Sequence, residues 1–157
     1  MYISKGQDWL ACFNLEGIGS ILIISLAGTG GVVLVSAVVV RRFWWGRALE
    51  QELAKLIKNQ KGWELPLLAI MSGFGEEVFF RGGMQPTLGI TLTSIIFGLI
   101  HFPIKRELIA WPIFALLMGF FLGWQFEYTG SLVTPIITHT LINTIHLYRI
   151  HARVLEP

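Results

Sequence analysis

The sequence predicts an all-α polytopic membrane protein of about five transmembrane helices, with the last four packed as a bundle. Composition is the first reason. The 157 residues are 54% hydrophobic and only 14% charged, with a mean hydropathy of +0.63. A soluble domain carries about 25% charged residues, so this chain has too few to cover a water-facing surface. Apolar length is the second reason, because residues 17–40 run without a charge and are long enough to cross a bilayer. Punctuation is the third, since short polar or glycine-containing breaks divide residues 63–148 into lengths of one span each. The length fits one domain. A single Cys12 rules out an intramolecular disulfide and offers no metal-site spacing. The first sixteen residues lack the charged start and apolar core of a cleaved signal peptide, so insertion is expected to depend on the first span.

In chain order, Gly17–Val40 is the first span, and its Gly28, Gly30 and Gly31 allow close helix approach. Arg41 and Arg42, followed by Phe43, Trp44 and Trp45, read as a stop signal with an interfacial aromatic belt. Residues 46–62 form the long polar stretch. Their Leu49, Leu53, Leu56 and Ile57 recur at helical spacing, which predicts a helix lying on the membrane surface. Four further spans are expected at 63–84, 88–104, 108–126 and 131–148. They are separated at Gly82-Gly83 and Gln85-Pro86, at Lys105-Arg106-Glu107, and at Glu127 to Gly130. Pro112 and Pro135 fall in first turns, where a missing N–H costs little. Gly119 and Gly123 read as a helix-packing pair. The chain thus divides into an N-terminal span with its surface segment (1–62), a helical core (63–148) and a short basic tail (149–157).

Charge placement sets a topology. Arg41, Arg42, Arg47, Lys55, Lys58, Lys61, Lys105, Arg106, Arg149 and Arg153 fall on one side of a five-span chain, leaving Lys5 and Arg81 on the other. By the positive-inside rule the first group is cytoplasmic and the N-terminus is outside.

Against this apolar background, Glu76, Glu77 and Arg81 stand out in the second span. One ionised residue at a helix centre costs about 2.5–3.5 kcal/mol on insertion scales, so three together need a reason. Glu77 and Arg81 are four apart and can pair on one helix face, with the acid N-terminal as preferred. Glu76 is turned about 100° away and has no local partner. His101 lies in the third span. His139 and Asn143 share a face of the fifth, again four apart. At about 1.5 Å per residue, Glu76, His101, His139 and Asn143 all fall about 12–18 Å from one membrane face and can share a layer. Phe97 reads as packing beside His101, His146 and His151 as interfacial, and Ser72 and Ser94 as ordinary small polar residues of membrane helices.

EExxxR, FxxxH and HxxxN, in that order on separate membrane helices, resemble the CAAX prenyl endopeptidase and bacteriocin-processing (CPBP, abortive-infection-like) family of intramembrane proteases. Phe80-Arg81-Gly82 matches as well, and the resemblance covers residues 63–148. It implies that the last four helices form a catalytic bundle. Within it the first glutamate, Glu76, acts as base, His101 lies beside it, and His139 with Asn143 forms the oxyanion site. The residues read the same way. Glu76 suits general acid–base work, His101 can hold the same water, and His139 and Asn143 present N–H donors. Glu77 and Arg81 brace the helix. A zinc reading of Glu76, His101 and His139 stays open, because members of the family have been described both as metalloproteases and as glutamate-dependent enzymes. The metal-free reading needs fewer assumptions and assigns no metal ligand. Other intramembrane chemistries fit worse: one aspartate, Asp8, cannot supply an aspartyl pair, and neither HExxH nor GxSG occurs.

The implied function is an intramembrane endopeptidase of a prokaryotic plasma membrane. Its partners would be the bilayer and a peptide or protein substrate, prenylated ones among them, and no nucleic acid. The alternatives are a catalytically silent scaffold or immunity protein and a proton or ion pathway. Five spans without an internal repeat leave little room for alternating access. The positive-inside count also places the Glu76 layer nearer the outer face, whereas sites of this family generally open to the cytosol.

Overall fold

A computed structural model describes residues 9–102 and 108–155, all of them in helices and connecting turns. The expected roles of Lys5, Asp8, Lys105, Arg106 and Glu107 fall outside those residues. Helix α1 (Ile18–Arg42) and the helical segment Glu64–Ile100, which turns at Gly89, are long and apolar enough to cross a membrane. Their apolar side chains are largely uncovered. The apolar window of α1 is only 17% buried, where the core helix of a soluble protein would be mostly covered. Ile23, Leu34, Met71, Leu99 and Leu117 all point outward from the bundle.

One extended residue, Phe43, separates α1 from α2 (Trp44–Ile57). A helix is present in the expected stretch, and it folds back against the bundle. Its Glu50 is buried and pairs with Arg149 and Arg153 near the end of α6. At the opposite end of the molecule a 3₁₀ turn, Trp9–Phe13, is tied to the chain reversal before α6. Leu132 N–H donates to the Cys12 carbonyl at 2.7 Å, and Ser131 Oγ donates to the Asn14 carbonyl at 2.7 Å.

Helix α3 (Glu64–Glu77) continues through a π-helical segment, Val78–Met84, into α4 (Gln85–Ile100). The expected break at residues 82–86 is therefore displaced. The chain turns at Gly89, whose φ of 73° and ψ of 166° lie outside the helical region, in backbone space open to glycine and strained for other residues. The reversal is legible in the pairs it creates: Phe80 against Phe97 and Glu76 against His101, each symmetric about Gly89. Helix α4 also ends earlier than expected, with His101 as its C-cap instead of a span running on to residue 104. Helices α5 (Ala110–Thr129) and α6 (Val133–Leu155) follow, both reaching further than expected at their C-terminal ends.

Packing follows the small residues. Helix α5 lies on α4, where a Cβ on Gly119 would come within 3.0 Å of Ser94 Cα. Helix α3 lies antiparallel on α6, where a Cβ on Gly73 would meet Thr140 Oγ1 at 2.4 Å and the Thr140 backbone N at 2.9 Å. In lipid, such close backbone approach supplies the packing energy that hydrophobic burial supplies in water.

Candidate active site

The α3–α6 contact positions most of the charged groups. Glu77 and Arg81 are both fully buried, with Arg81 Nη1 donating to Glu77 Oε1 at 3.1 Å. Arg81 Nη2 donates to the Gly119 carbonyl at 3.1 Å, and its guanidinium carbon lies 4.7 Å from the Phe97 ring centroid. That carbonyl belongs to the glycine through which α5 approaches α4, so one arginine ties three helical segments together. His139 completes the network from α6, with Nδ1 2.7 Å from Glu77 Oε1. A carboxylate only accepts, so Nδ1 carries a proton and Nε2 is the ring atom left for other work. The expected brace of Glu77 and Arg81 is thus a three-residue assembly that also orients a histidine.

Glu76 lies outside this network. Its Oε2 is buried, makes no hydrogen bond within the protein, and stands 3.9 Å from His101 Nε2. His101 Nδ1 is 2.7 Å from the carbonyl of Phe97, one turn back. A carbonyl cannot donate, so Nδ1 again holds a proton, and Nε2 is the ring atom turned towards Glu76. A separation of 3.9 Å is too long for a direct hydrogen bond and suits two groups that share a water. Phe97 does more than pack beside His101. Its ring also touches Phe80 edge-on at 4.9 Å and His139 at 6.3 Å, which sets the spacing between the two histidines.

Asn143 shares its helix face with His139 but not its hydrogen bonds. Asn143 Nδ2 donates to Ser72 Oγ at 2.9 Å, and Ser72 Oγ donates to the Ala69 carbonyl. This fixes the side-chain amide and leaves its second N–H available. Ser72 is the site residue that sequence reasoning misses. Its position four before Glu76, on the same helix face, is the signal that could have found it.

Glu76, Ser72, Phe97, His101, His139 and Asn143 all line one cleft of about 900 Å³, whose remaining walls are mostly apolar side chains of α1, α2 and α5. Among the described residues, no three His, Cys, Asp or Glu side chains converge as a metal site. The geometry gives each histidine a separate carboxylate: His139 is bonded to Glu77, and His101 faces Glu76.

Residues 58–145 match the type II CAAX prenyl endopeptidase Rce1-like family. The chain belongs to this family. The match covers more than half the sequence and contains all three motifs, so the resemblance read from them holds, and the family is membrane-embedded. The chain also matches an uncharacterized protein of Bacillus subtilis (strain 168), YpbD. Identity is 35% over 80 residues, which make up 50% of this chain and 41% of that protein. The alignment therefore spans less than half the length of that relative. No solved structure matches the chain.

Proposed function

We propose that the protein is an intramembrane endopeptidase that hydrolyses a peptide bond with a water activated by Glu76. The observation that carries this reading is the unbonded Glu76 Oε2, facing a His101 Nε2 that its own Nδ1 contact leaves free, at the wall of an apolar cleft. Glu76 takes a proton from the bridging water as the water oxygen bonds to the scissile carbonyl carbon. Negative charge then develops on the carbonyl oxygen. The second Asn143 N–H and His139 Nε2 are the donors suited to it, the latter when the ring carries both protons. As the C–N bond breaks, the proton on Glu76 passes to the leaving amine, which leaves an amine and a carboxylic acid that then ionises to the solvent. Glu77 and Arg81 act at one remove, by fixing the ring of His139. No step is routed through a metal.

In this reading the five spans are α1, α3 with its π segment, α4, α5 and α6, in a prokaryotic plasma membrane. Residues 63–148 form the catalytic core, and residues of α1 and α2 between Ala27 and Ile57 supply the far wall of the cleft. The cleft runs from the Glu76 layer towards α2 and the end of α6, where Arg149 and the basic 41–62 segment lie. With that end cytoplasmic, the cleft opens to the cytosol. A glutamate layer nearer the outer face and a cytosolic entrance are then compatible, because the cleft spans the distance between them. Substrates would be peptides presented from the cytosol, and the family's name points to prenylated ones. Purified protein in detergent, offered fluorogenic peptides with and without a prenylated cysteine, tests the proposal. Cleavage should be lost in Glu76→Gln and Asn143→Ala and retained in chelator. Loss on chelation with recovery on added zinc would replace the glutamate mechanism with a metal one.

A further inference from the structure

Trp111 lies beside the reacting groups and has no part in the reaction as described. Helix α4 stops at His101, so no further turn of its own helix covers that ring. The ring is held from two sides instead. Phe97 lies 4.7 Å away between ring centroids, and Trp111, in the first turn of α5, meets it edge-on at 5.8 Å and 62°. Gly98 makes this approach possible. A Cβ there would stand 3.1 Å from the Pro112 carbonyl oxygen and 3.0 Å from Leu116 Cβ, so the glycine lets the start of α5 close on the end of α4. That brings Trp111, the residue before Pro112, against His101.

Packing accounts for the indole ring but not for its N–H. That group only donates, it normally finds a partner when buried, and among the described residues it has none. Trp111 is half-buried and lines the cleft. The rest of the α5 wall, Phe114, Ala115, Leu117, Met118 and Phe121, carries no side-chain donor. An extended peptide entering this cleft leaves water behind, and each of its carbonyls is penalised unless a protein donor replaces the solvent. Asn143 and His139 face the carbonyl that reacts, so a carbonyl further along needs another donor. The 5.8 Å between the Trp111 and His101 rings is less than two residues of extended chain, at about 3.3–3.6 Å per residue.

We propose that Trp111 is a substrate-binding residue whose indole N–H donates to a backbone carbonyl of the peptide, one or two residues from the scissile bond. Main chain is common to every peptide, so this bond adds affinity without selecting a side chain. Its place along the peptide rests on the endopeptidase reading. The hydrogen bond itself is read from binding, without turnover.

The test uses full-length Glu76→Gln protein in detergent and a fluorescent apolar octapeptide, with isosteres in which one amide at a time is replaced by a fluoroalkene. The alkene keeps the extended shape and accepts no hydrogen bond. One such replacement should weaken binding about fivefold, the scale of a neutral hydrogen bond. Glu76→Gln/Trp111→Phe keeps an aromatic ring against His101 and removes the N–H. It should bind the parent peptide about fivefold more weakly and bind that isostere no worse than the parent, so the two losses do not add. Because an indole N–H only donates, this coupling reports the carbonyl and not the amide N–H lost with it. In the protein that keeps Trp111, one ¹⁵N-indole resonance of the six tryptophans should move downfield with the parent peptide and not with that isostere. This reads the bond even if Trp111→Phe does not fold. Additive losses, equal binding in Trp111→Phe, indole resonances that no peptide moves, or no binding by any of the peptides overturns the proposal. Cleavage of the parent peptide by the wild type separates the two readings. Coupling without cleavage leaves the Trp111 donor standing and refutes the protease, and cleavage with additive losses does the reverse.

Discussion

Substituting Gly73 by alanine tests whether the α3–α6 contact positions the site. The added Cβ would stand 2.4 Å from Thr140 Oγ1, 2.9 Å from its backbone N and 3.0 Å from its Cα. Carbon contacts settle at about 3.5–4.0 Å, so the helices must part by about 0.5–1 Å. Overpacking of this kind costs about 1–3 kcal/mol. The catalytic cost should be larger. The Glu77–His139 bond of 2.7 Å and the Asn143–Ser72 bond of 2.9 Å both cross this contact, and displacement by about 1 Å can cost about a hundredfold in rate. The variant should keep a cooperative thermal transition in detergent, at a lower Tm, while kcat/KM on a fluorogenic peptide falls about a hundredfold. Adding Thr140→Ala should restore only part of the loss, because the backbone contacts persist. Wild-type kcat/KM in Gly73→Ala, or full rescue by Thr140→Ala, would refute the argument.

Arg81→Met should destabilise the fold by about 3–5 kcal/mol through the orphaned Glu77 charge, and Glu77→Gln/Arg81→Met should recover much of that, as read by thermal unfolding in detergent. Gly89→Ala meets no atom within 4 Å, so its cost is the backbone conformation alone, φ 73° with ψ 166°, a region nearly confined to glycine; Tm should fall by the equivalent of about 1–3 kcal/mol, and Gly89→Asn should be no milder. Ser72→Ala should lower kcat severalfold with little change in KM, since it frees the Asn143 amide without removing it; an unchanged kcat would take Ser72 out of the site.

Much of the arrangement is legible in the residues. Glu76, Glu77, Arg81, His101 and His139 stand out because a charge or imidazole in a membrane helix is costly, and four-residue spacing pairs Glu77 with Arg81 and puts Asn143 on the face of His139. Spacing cannot show that α3 packs on α6 instead of on its sequence neighbour α4. That choice depends on Gly73 meeting Thr140, a contact between helices far apart in the chain. For the same reason His139 joins Glu77, and Asn143, one turn away, goes to Ser72. The turn at Gly89 is hidden behind Gly82, Gly83 and Pro86. These look like stronger breaks, yet helix continues through all three, with Pro86 in the first turn of α4, where its missing N–H does no harm. His146 reads as interfacial in the sequence because it lies near the basic end. Its contact with Ser36 depends on α1 running beside α6, which no local pattern encodes.

The central claim is that Glu76 activates a water and does not itself attack the substrate. A single turnover in ¹⁸O-labelled water, with enzyme in excess over peptide and the products weighed by mass spectrometry, tests it most directly. Direct attack by water places one ¹⁸O in the new carboxylate during that first turnover, and Glu76→Gln yields no product. A first-turnover product carrying only ¹⁶O, with the label found in Glu76, would show that the glutamate is a nucleophile and contradict the account.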